Sequence, residues 1–356
     1  MNLPGIIILL SLFASSALMP VLNAQQMDRQ LALTHLDSII IFAREHSLYT
    51  DRLDWPALVT ELKNLAAKQD SADVLTVPIR KLMTELGDFH GSLMYNYQLS
   101  FRGEAIKPKR ANHIPWDQET GQAIYRTHIP EPYQAGAHYF TKDKIAYVKI
   151  FGTGVMDSTR IMAGIDSIRR EICALAAKQP IGWIIDLRAN GGGNTHLMMS
   201  GLGELIPNAE LGGDTKDGLS PYSRWSTRDG RFYMSDWSAA GTLPRTCPEL
   251  IKENPRIAVL VSRYTSSSGE VVASSFRGQP NVRLFGEQTA GYSTTNGWFV
   301  LDDKWVFMPA TAYYMSVDGT VHKDGILPDE EIIENFDLEI MLNGTTIEAA
   351  RQWIRK

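Results

Sequence analysis

The sequence predicts an α/β protein, and two observations carry that expectation. From residue 144 onward, short runs of strand-forming residues alternate with helix-length stretches, the order that pairs strands in parallel through right-handed crossovers. The runs 182-GWIIDL-187 and 257-IAVLV-261 are almost continuously apolar, as in a sheet covered on both faces.

Each element follows from its local pattern. KIAYVKIFG from Lys144 reads as a strand, and STRIMAGIDSIRREICALAAK from Ser158 reads as a helix. After the GWIIDL strand comes the helix THLMMSGLGEL, then the strand RIAVLVS, the helix SGEVVASSF and the strand VRLFGE. The stretch 297-GWFVLDDKWVFMPATAYYM-315 reads as a β-hairpin turning at Asp302-Asp303. These elements make an α/β core over 144–340, with a closing helix over 341–356. Upstream, 31-LALTHLDSIIIFAREH-46, 54-DWPALVTELKNLAAK-68 and 72-ADVLTVPIRKLMTEL-86 repeat apolar residues at three- and four-residue spacing. They predict a helical bundle over 27–90, with Asp54 as an N-cap before Trp55-Pro56. The aromatic and proline-rich stretch 91–143 predicts a small β-rich cap or substrate wall.

Composition narrows the function. At 44% hydrophobic and 21% charged, the 356-residue chain is globular rather than disordered. A net charge of −5 and the lack of a basic stripe exclude a general nucleic-acid binder. The absence of HExxH and CxxC gives no reason to expect a metal, and nothing in the pattern calls for a cofactor. The apolar run from Ile6 to Met19 is short for a bilayer span but suits a signal-peptide core, with cleavage expected near Ala24. That predicts a signal peptide over 1–24 and an exported chain, periplasmic or secreted, with an N-terminal membrane tether as the alternative. The mature chain is expected to have no integral span. Cys173 and Cys247 could pair in an oxidising compartment or stand as two core thiols, and the sequence does not choose between these.

Chemistry in such a sheet gathers where strands end and loops enter helices. The loop 186-DLRANGGGN-194 follows a buried strand and carries three glycines, whose N–H groups are able to face a negative oxygen. Its spacing fits neither GxGxxG nor a phosphate loop. The second loop, 264-YTSSSGEVVASS-275, puts Ser266, Ser267 and Ser268 at a strand-to-helix junction. A serine there is ordinarily an N-cap, but one cap needs one hydroxyl, and the same place sets a nucleophile beside the positive end of a helix. SxxK and GxSxG are both absent, so a base must come from elsewhere. His90, in 85-ELGDFHGSL-93, is the best candidate, with an ordinary pKa of about 6.5. His196 and His322 lie near the other loops.

Taken together, ELGDFHGSL, GWIIDLRANGGGN, YTSSSGEVVAS, LFGEQTAG and DGTVHKDGILPD resemble the C-terminal-processing (tail-specific) serine protease family, in that family's order. The resemblance covers nearly all of the chain after residue 27 and implies a ClpP/crotonase-like core. It implies Ser267 as nucleophile, three residues before Glu270. It also implies an oxyanion hole from the Ser268 N–H and a glycine of the 191–193 run, Gly192 being favoured and Gly193 the neighbour. Tail-specific members use a lysine base where this chain has Tyr292, in 289-TAGYS-293. A second branch, tricorn-like and nisin-resistance-like, uses a histidine that His90 matches. That branch places a glutamate before GxxPD, where this chain reads His322-Lys323-Asp324, so a Ser–His dyad is the expected set. Asp88, Glu270, Asp324 and Tyr292 are the candidate supporting residues.

The expected activity is peptide hydrolysis through an acyl-enzyme, on peptides or unfolded protein tails. A non-catalytic peptide- or lipid-binding protein on the same fold is the rival reading. Acyl-CoA chemistry is a weaker one, because CoA esters are cytoplasmic and the chain is expected to be exported.

Overall fold

The computed structural model describes residues 28–70, 73–96, 98–103, 118–127, 133–219, 222–244, 246–334 and 341–356. The expected signal peptide (1–24) and residues 104–117 and 128–132 of the expected cap lie outside them. Helices α1 (Arg29–His46), α2 (Trp55–Ala67) and α3 (Asp73–Leu86) lead into strands β1 (Ser92–Tyr95) and β2 (Gln98–Phe101). Next come α4 (Gln118–Thr127), β3 (Gly136–Phe140), β4 (Ile145–Lys149), α5 (Ser158–Ala176), β5 (Gly182–Asp186) and α6 (Thr195–Leu202). A meander of β6 (Ala209–Thr215), β7 (Ser223–Arg228) and β8 (Arg231–Met234) precedes β9 (Arg256–Val261), α7 (Ser268–Phe276) and β10 (Val282–Gly286). The chain closes with β11 (Thr294–Asn296), β12 (Phe299–Val300), β13 (Trp305–Met308), β14 (Ala310–Ser316), β15 (Val321–His322), β16 (Glu330–Glu331) and α8 (Thr345–Arg355).

These elements form two compact units, Met1–His113 with Thr294–Ala312, and Ile114–Ser293 with Tyr313–Lys356. In the first, Asp28 caps α1 by accepting the Leu31 N–H, and Asp54 caps α2 by accepting the Ala57 N–H, as its sequence predicts. Ala32, Leu36, Ile39, Ile40 and Ala43 line one face of α1 and pack with Leu58 and Leu62 of α2 and Leu75, Ile79 and Leu82 of α3. The hairpin expected at Asp302-Asp303 is present as β12 and β13, and β13 pairs antiparallel with β1 to give the order β12-β13-β1-β2. Through that pairing Trp305 and Phe307 enter the same core as the three helices.

In the second unit the sheet order is β16-β10-β9-β5-β4-β3, with every neighbouring pair parallel except β3 and β4. Successive residues face opposite layers. Ile257, Val259 and Val261 of β9 join the core with α5, α6 and α7, whereas Ala258 and Leu260 pack with Ile347, Ala350 and Ile354 of α8. Both faces are covered, which explains the uninterrupted apolar runs.

Two local structures depart from the sequence expectation. Within the segment expected to be β-rich, residues 118–127 form a helix, α4. Its sequence QETGQAIYRT contains a glycine and few apolar residues, so the helical period is faint. The meander β6–β8 carries no clear alternation, because β6 holds Gly212 and Gly213 and a register shift between Glu210 and Gly212.

Cys173, on α5, and Cys247, nine residues before β9, form a disulfide with Cα atoms 5.8 Å apart, which resolves the pairing the sequence left open. No helix among the described residues is long and apolar enough to cross a membrane. The bridge closes a loop with a sequence separation of 74. Replacing both cysteines by alanine is expected to lower the unfolding free energy by about 4 kcal/mol, the loop-entropy value for that length. Urea titration of the two proteins checks this, and equal midpoints would contradict it.

Candidate active site

The second unit carries the serine junction. β9 ends at Val261, and the turn that follows is tied to the loop after β5. The Thr265 hydroxyl donates to the Leu187 carbonyl at 2.7 Å, the Ser262 hydroxyl to the Arg188 carbonyl, and the Ser266 N–H to the Asn190 carbonyl at 3.0 Å. Ser267 then stands at the N-cap position of α7 with φ 52° and ψ −122°. A non-glycine residue there is strained, at a cost on the order of 1–3 kcal/mol, and persists only when its surroundings hold it.

Glu270 supplies the hold. It is fully buried at the third position of α7, and its carboxylate accepts the Ser267 N–H at 2.9 Å. The other oxygen accepts the Thr289 hydroxyl at 2.5 Å and the Gly291 N–H at 2.7 Å. The Ser267 carbonyl in turn accepts from the N–H groups of Glu270 and Val271. Glu270 is therefore the glutamate of a capping box that also fastens the 289–291 segment. At least three donors therefore meet at this carboxylate.

The two flanking serines answer why there are three. Ser266 Oγ donates to the Gly191 carbonyl at 2.9 Å and Ser268 Oγ to the Gly193 carbonyl at 2.7 Å, so both lash the glycine loop to the turn. A Cβ on Gly192 would lie 2.8 Å from the Ser267 Cβ, which is why only glycine fits there.

The N–H groups of that loop divide cleanly. Gly192, the donor favoured from the sequence, has its N–H committed to Asn190 Oδ1 at 2.9 Å. The Asn194 N–H goes to the Thr153 carbonyl at 2.6 Å. The Gly192 carbonyl accepts from Thr153 N–H at 2.9 Å, and a trans peptide therefore turns the Gly193 N–H away from Thr153. Among the described residues the N–H groups of Gly191, Gly193 and Ser268 have no acceptor, and Gly193 is exposed. The Ser268 N–H also lies in the first turn of α7, where the helix dipole is positive.

His90 belongs to the first unit, in the loop after α3. Its ring is 95% buried in the sense that only 5% of the residue is exposed, and Nδ1 lies 2.7 Å from Thr294 Oγ1. Asp88 shapes this loop by accepting the N–H groups of His90 (3.1 Å), Gly91 (2.7 Å) and Ala310 (2.8 Å). Burial raises the Asp88 carboxyl above its usual range, while those bonds and Arg102 oppose the rise.

The remaining candidates occupy other places. Asp324 is exposed and touches Gln288 only through its backbone carbonyl. Tyr292 is half-buried, two residues before Thr294. His322 is buried with Nε2 2.7 Å from Ser316 Oγ, and burial brings its pKa down to about 4. His196, beside the glycine loop, accepts the Ala239 N–H at Nδ1 and is likewise lowered to about 4 by burial. Both imidazoles are thus neutral structural groups near pH 7. Sequence reasoning missed Thr294, Thr289, Asn190 and Thr153. Hydroxyl and amide residues in loops carry no signal of the partner they will meet.

Comparison with known proteins places the chain among peptidases. Residues 144–332 match the family model "Peptidase family S41". The nisin-resistance protein of Lactococcus lactis subsp. lactis is 33% identical over 150 residues, covering 42% of this chain and 45% of that protein. The match therefore spans less than half the length of that curated relative. A lipoprotein from Streptococcus agalactiae shares the fold with a TM-score of 0.64 at 19% identity, covering 96% of this chain and 99% of that one. A structure from Parabacteroides merdae gives a TM-score of 0.51 at 17% identity, covering 92% of this chain and 97% of that one.

Removing the Glu270 carboxylate takes this acceptor from the buried Thr289 hydroxyl and Gly291 N–H and from the part-buried Ser267 N–H. Glu270→Ala is therefore expected to cost roughly 3 kcal/mol or more of unfolding free energy, at about 1–3 kcal/mol for each stranded group. Urea unfolding reads this directly, and a change below about 1 kcal/mol would remove Glu270 from its role.

Proposed function

Since the chain belongs to Peptidase family S41, we propose that it is an exported serine peptidase that cleaves peptides or unfolded protein tails through an acyl-enzyme on Ser267. The observation that carries the reading is the strained Ser267 at φ 52°, held by Glu270 at a strand-to-helix junction with acceptor-free N–H groups beside it. A strained turn of this kind lifts a serine hydroxyl out of the sheet and toward a substrate.

In the proposed reaction His90 takes the proton of Ser267 Oγ as the oxygen attacks the scissile carbonyl. The C=O pair moves onto oxygen, where the N–H groups of Ser268 and Gly193 receive it. Each such donor contributes about 3–4 kcal/mol of transition-state stabilisation in serine proteases. Collapse of the tetrahedral intermediate breaks the C–N bond, and His90 returns the proton to the departing amine. Water, activated by the same histidine, then releases the acyl group and restores the Ser267 hydroxyl. Gly193 replaces Gly192 as the favoured loop donor because Asn190 already holds the Gly192 N–H.

Export is supported by the Cys173–Cys247 bridge, since disulfides persist in oxidising compartments. The similarity to a streptococcal lipoprotein fold and to a nisin-resistance protein points the same way.

A fluorophosphonate probe tests the nucleophile and separates this reading from a binding protein on the same fold. Wild-type protein is expected to be labelled, and Ser267→Ala is expected to lose both labelling and cleavage of an unstructured peptide while keeping its melting temperature. Cleavage by Ser267→Ala at the wild-type rate would overturn the assignment.

A further inference from the structure

We propose that Thr294 is the positioning residue of His90, filling the place for which the sequence offers Asp88, Glu270, Asp324 and Tyr292, and this rests on the histidine-base reading above. His90 Nδ1 and Thr294 Oγ1 are 2.7 Å apart, and the two residues are 5% and 1% exposed. A buried pair at that distance is hydrogen-bonded, and water does not compete for it.

The three carboxylates among those candidates stand elsewhere. Both Asp88 oxygens serve backbone N–H groups, three in all, and so fix the loop rather than the ring. Glu270 holds three donors of its own in the other unit, and Asp324 is exposed. The His90 backbone is tied at both ends, its N–H to Asp88 and its carbonyl to Asn296 Nδ2 at 3.3 Å. With the backbone fixed, the contact at Nδ1 sets the ring about its remaining torsions. Thr294 suits the task, because its β-branched side chain is stiff at χ1 and it opens strand β11.

The direction of the bond follows from the chemistry. A base that takes the serine proton at Nε2 needs its lone pair there, so Nδ1 carries the hydrogen and donates it to Thr294 Oγ1. A hydroxyl oxygen is an acceptor with two lone pairs and meets this requirement. It is uncharged, so it selects the tautomer and orientation while giving the imidazolium less support than a carboxylate would.

Two measurements test the assignment. Nitrogen NMR of the wild-type protein above the histidine's titration is expected to show His90 protonated at Nδ1, and Thr294→Val is expected to shift it toward a mixture of tautomers. In peptide hydrolysis Thr294→Val is expected to lower kcat about ten- to a hundredfold at little-changed KM. Its acid limb is expected to move about half a unit to one unit lower, because the imidazolium loses an acceptor. Asp88, with Arg102 acting on it, is the charged group on the histidine's own loop and stays unaltered in this variant. Thr294→Ser is expected to restore the wild-type profile. An Nε2–H tautomer in the wild type, an unmoved acid limb in Thr294→Val, or a Thr294→Ser as impaired as Thr294→Val would each overturn the proposal. The NMR result needs no turnover and no variant. A wild-type protein without peptidase activity would therefore fail the proposed function while this inference is still read.

Discussion

The buried carboxylate of Glu270 is the contact on which the second unit's chemistry depends. It stands on the first turn of α7 and gathers the Ser267 N–H, the Thr289 hydroxyl and the Gly291 N–H. A buried carboxylate is costly when its lone pairs go unfilled, and here the filling groups are the ones whose positions matter. One of them belongs to the strained serine, the others to the segment that leads through Tyr292 to Thr294. Strain at Ser267 is thus stored locally and held by the Glu270 carboxylate.

The triple serine follows a similar division of labour. Ser267 takes the half-buried, strained position, and its neighbours turn their hydroxyls to the Gly191 and Gly193 carbonyls. Pinning the Gly191 and Gly193 carbonyls, with the Thr153 N–H pinning that of Gly192 between them, fixes the direction of the N–H groups that follow. Gly192 and Gly193 are needed because the loop passes so close to Ser267 and Thr153 that side chains there would collide with them, whereas a Cβ on Gly191 would meet nothing within 4 Å. Preorganised donors of this sort do not have to reorganise when charge develops.

Much of this was legible in the sequence, and the limits have physical causes. Buried parallel strands announce themselves as apolar runs, and a capped helix announces itself through Asp54 and Pro56, because those signals are local. For the site, the sequence supplies Ser267, His90 and the glycine loop as candidates. What it did not give was who bonds whom. Nothing in YSTTN distinguishes Thr294 from Thr295, yet one lies against the His90 ring and the other offers its carbonyl to Thr311. The sequence favours Gly192 as the loop donor, and it carries no sign that the Asn190 side chain takes that N–H. The pairing of β13 with β1 joins residues more than two hundred apart, and no periodicity encodes it.

The most direct measurement is a crystal structure of the protein inactivated by a peptidyl phosphonate. The account predicts a phosphorus–oxygen bond to Ser267 Oγ. It also places the phosphonyl oxygen about 2.7–3.1 Å from the N–H nitrogens of Ser268 and Gly193, with Asn190 still holding Gly192. An adduct on another residue, or a phosphonyl oxygen bound by Gly192 with the Asn190 contact broken, would contradict it.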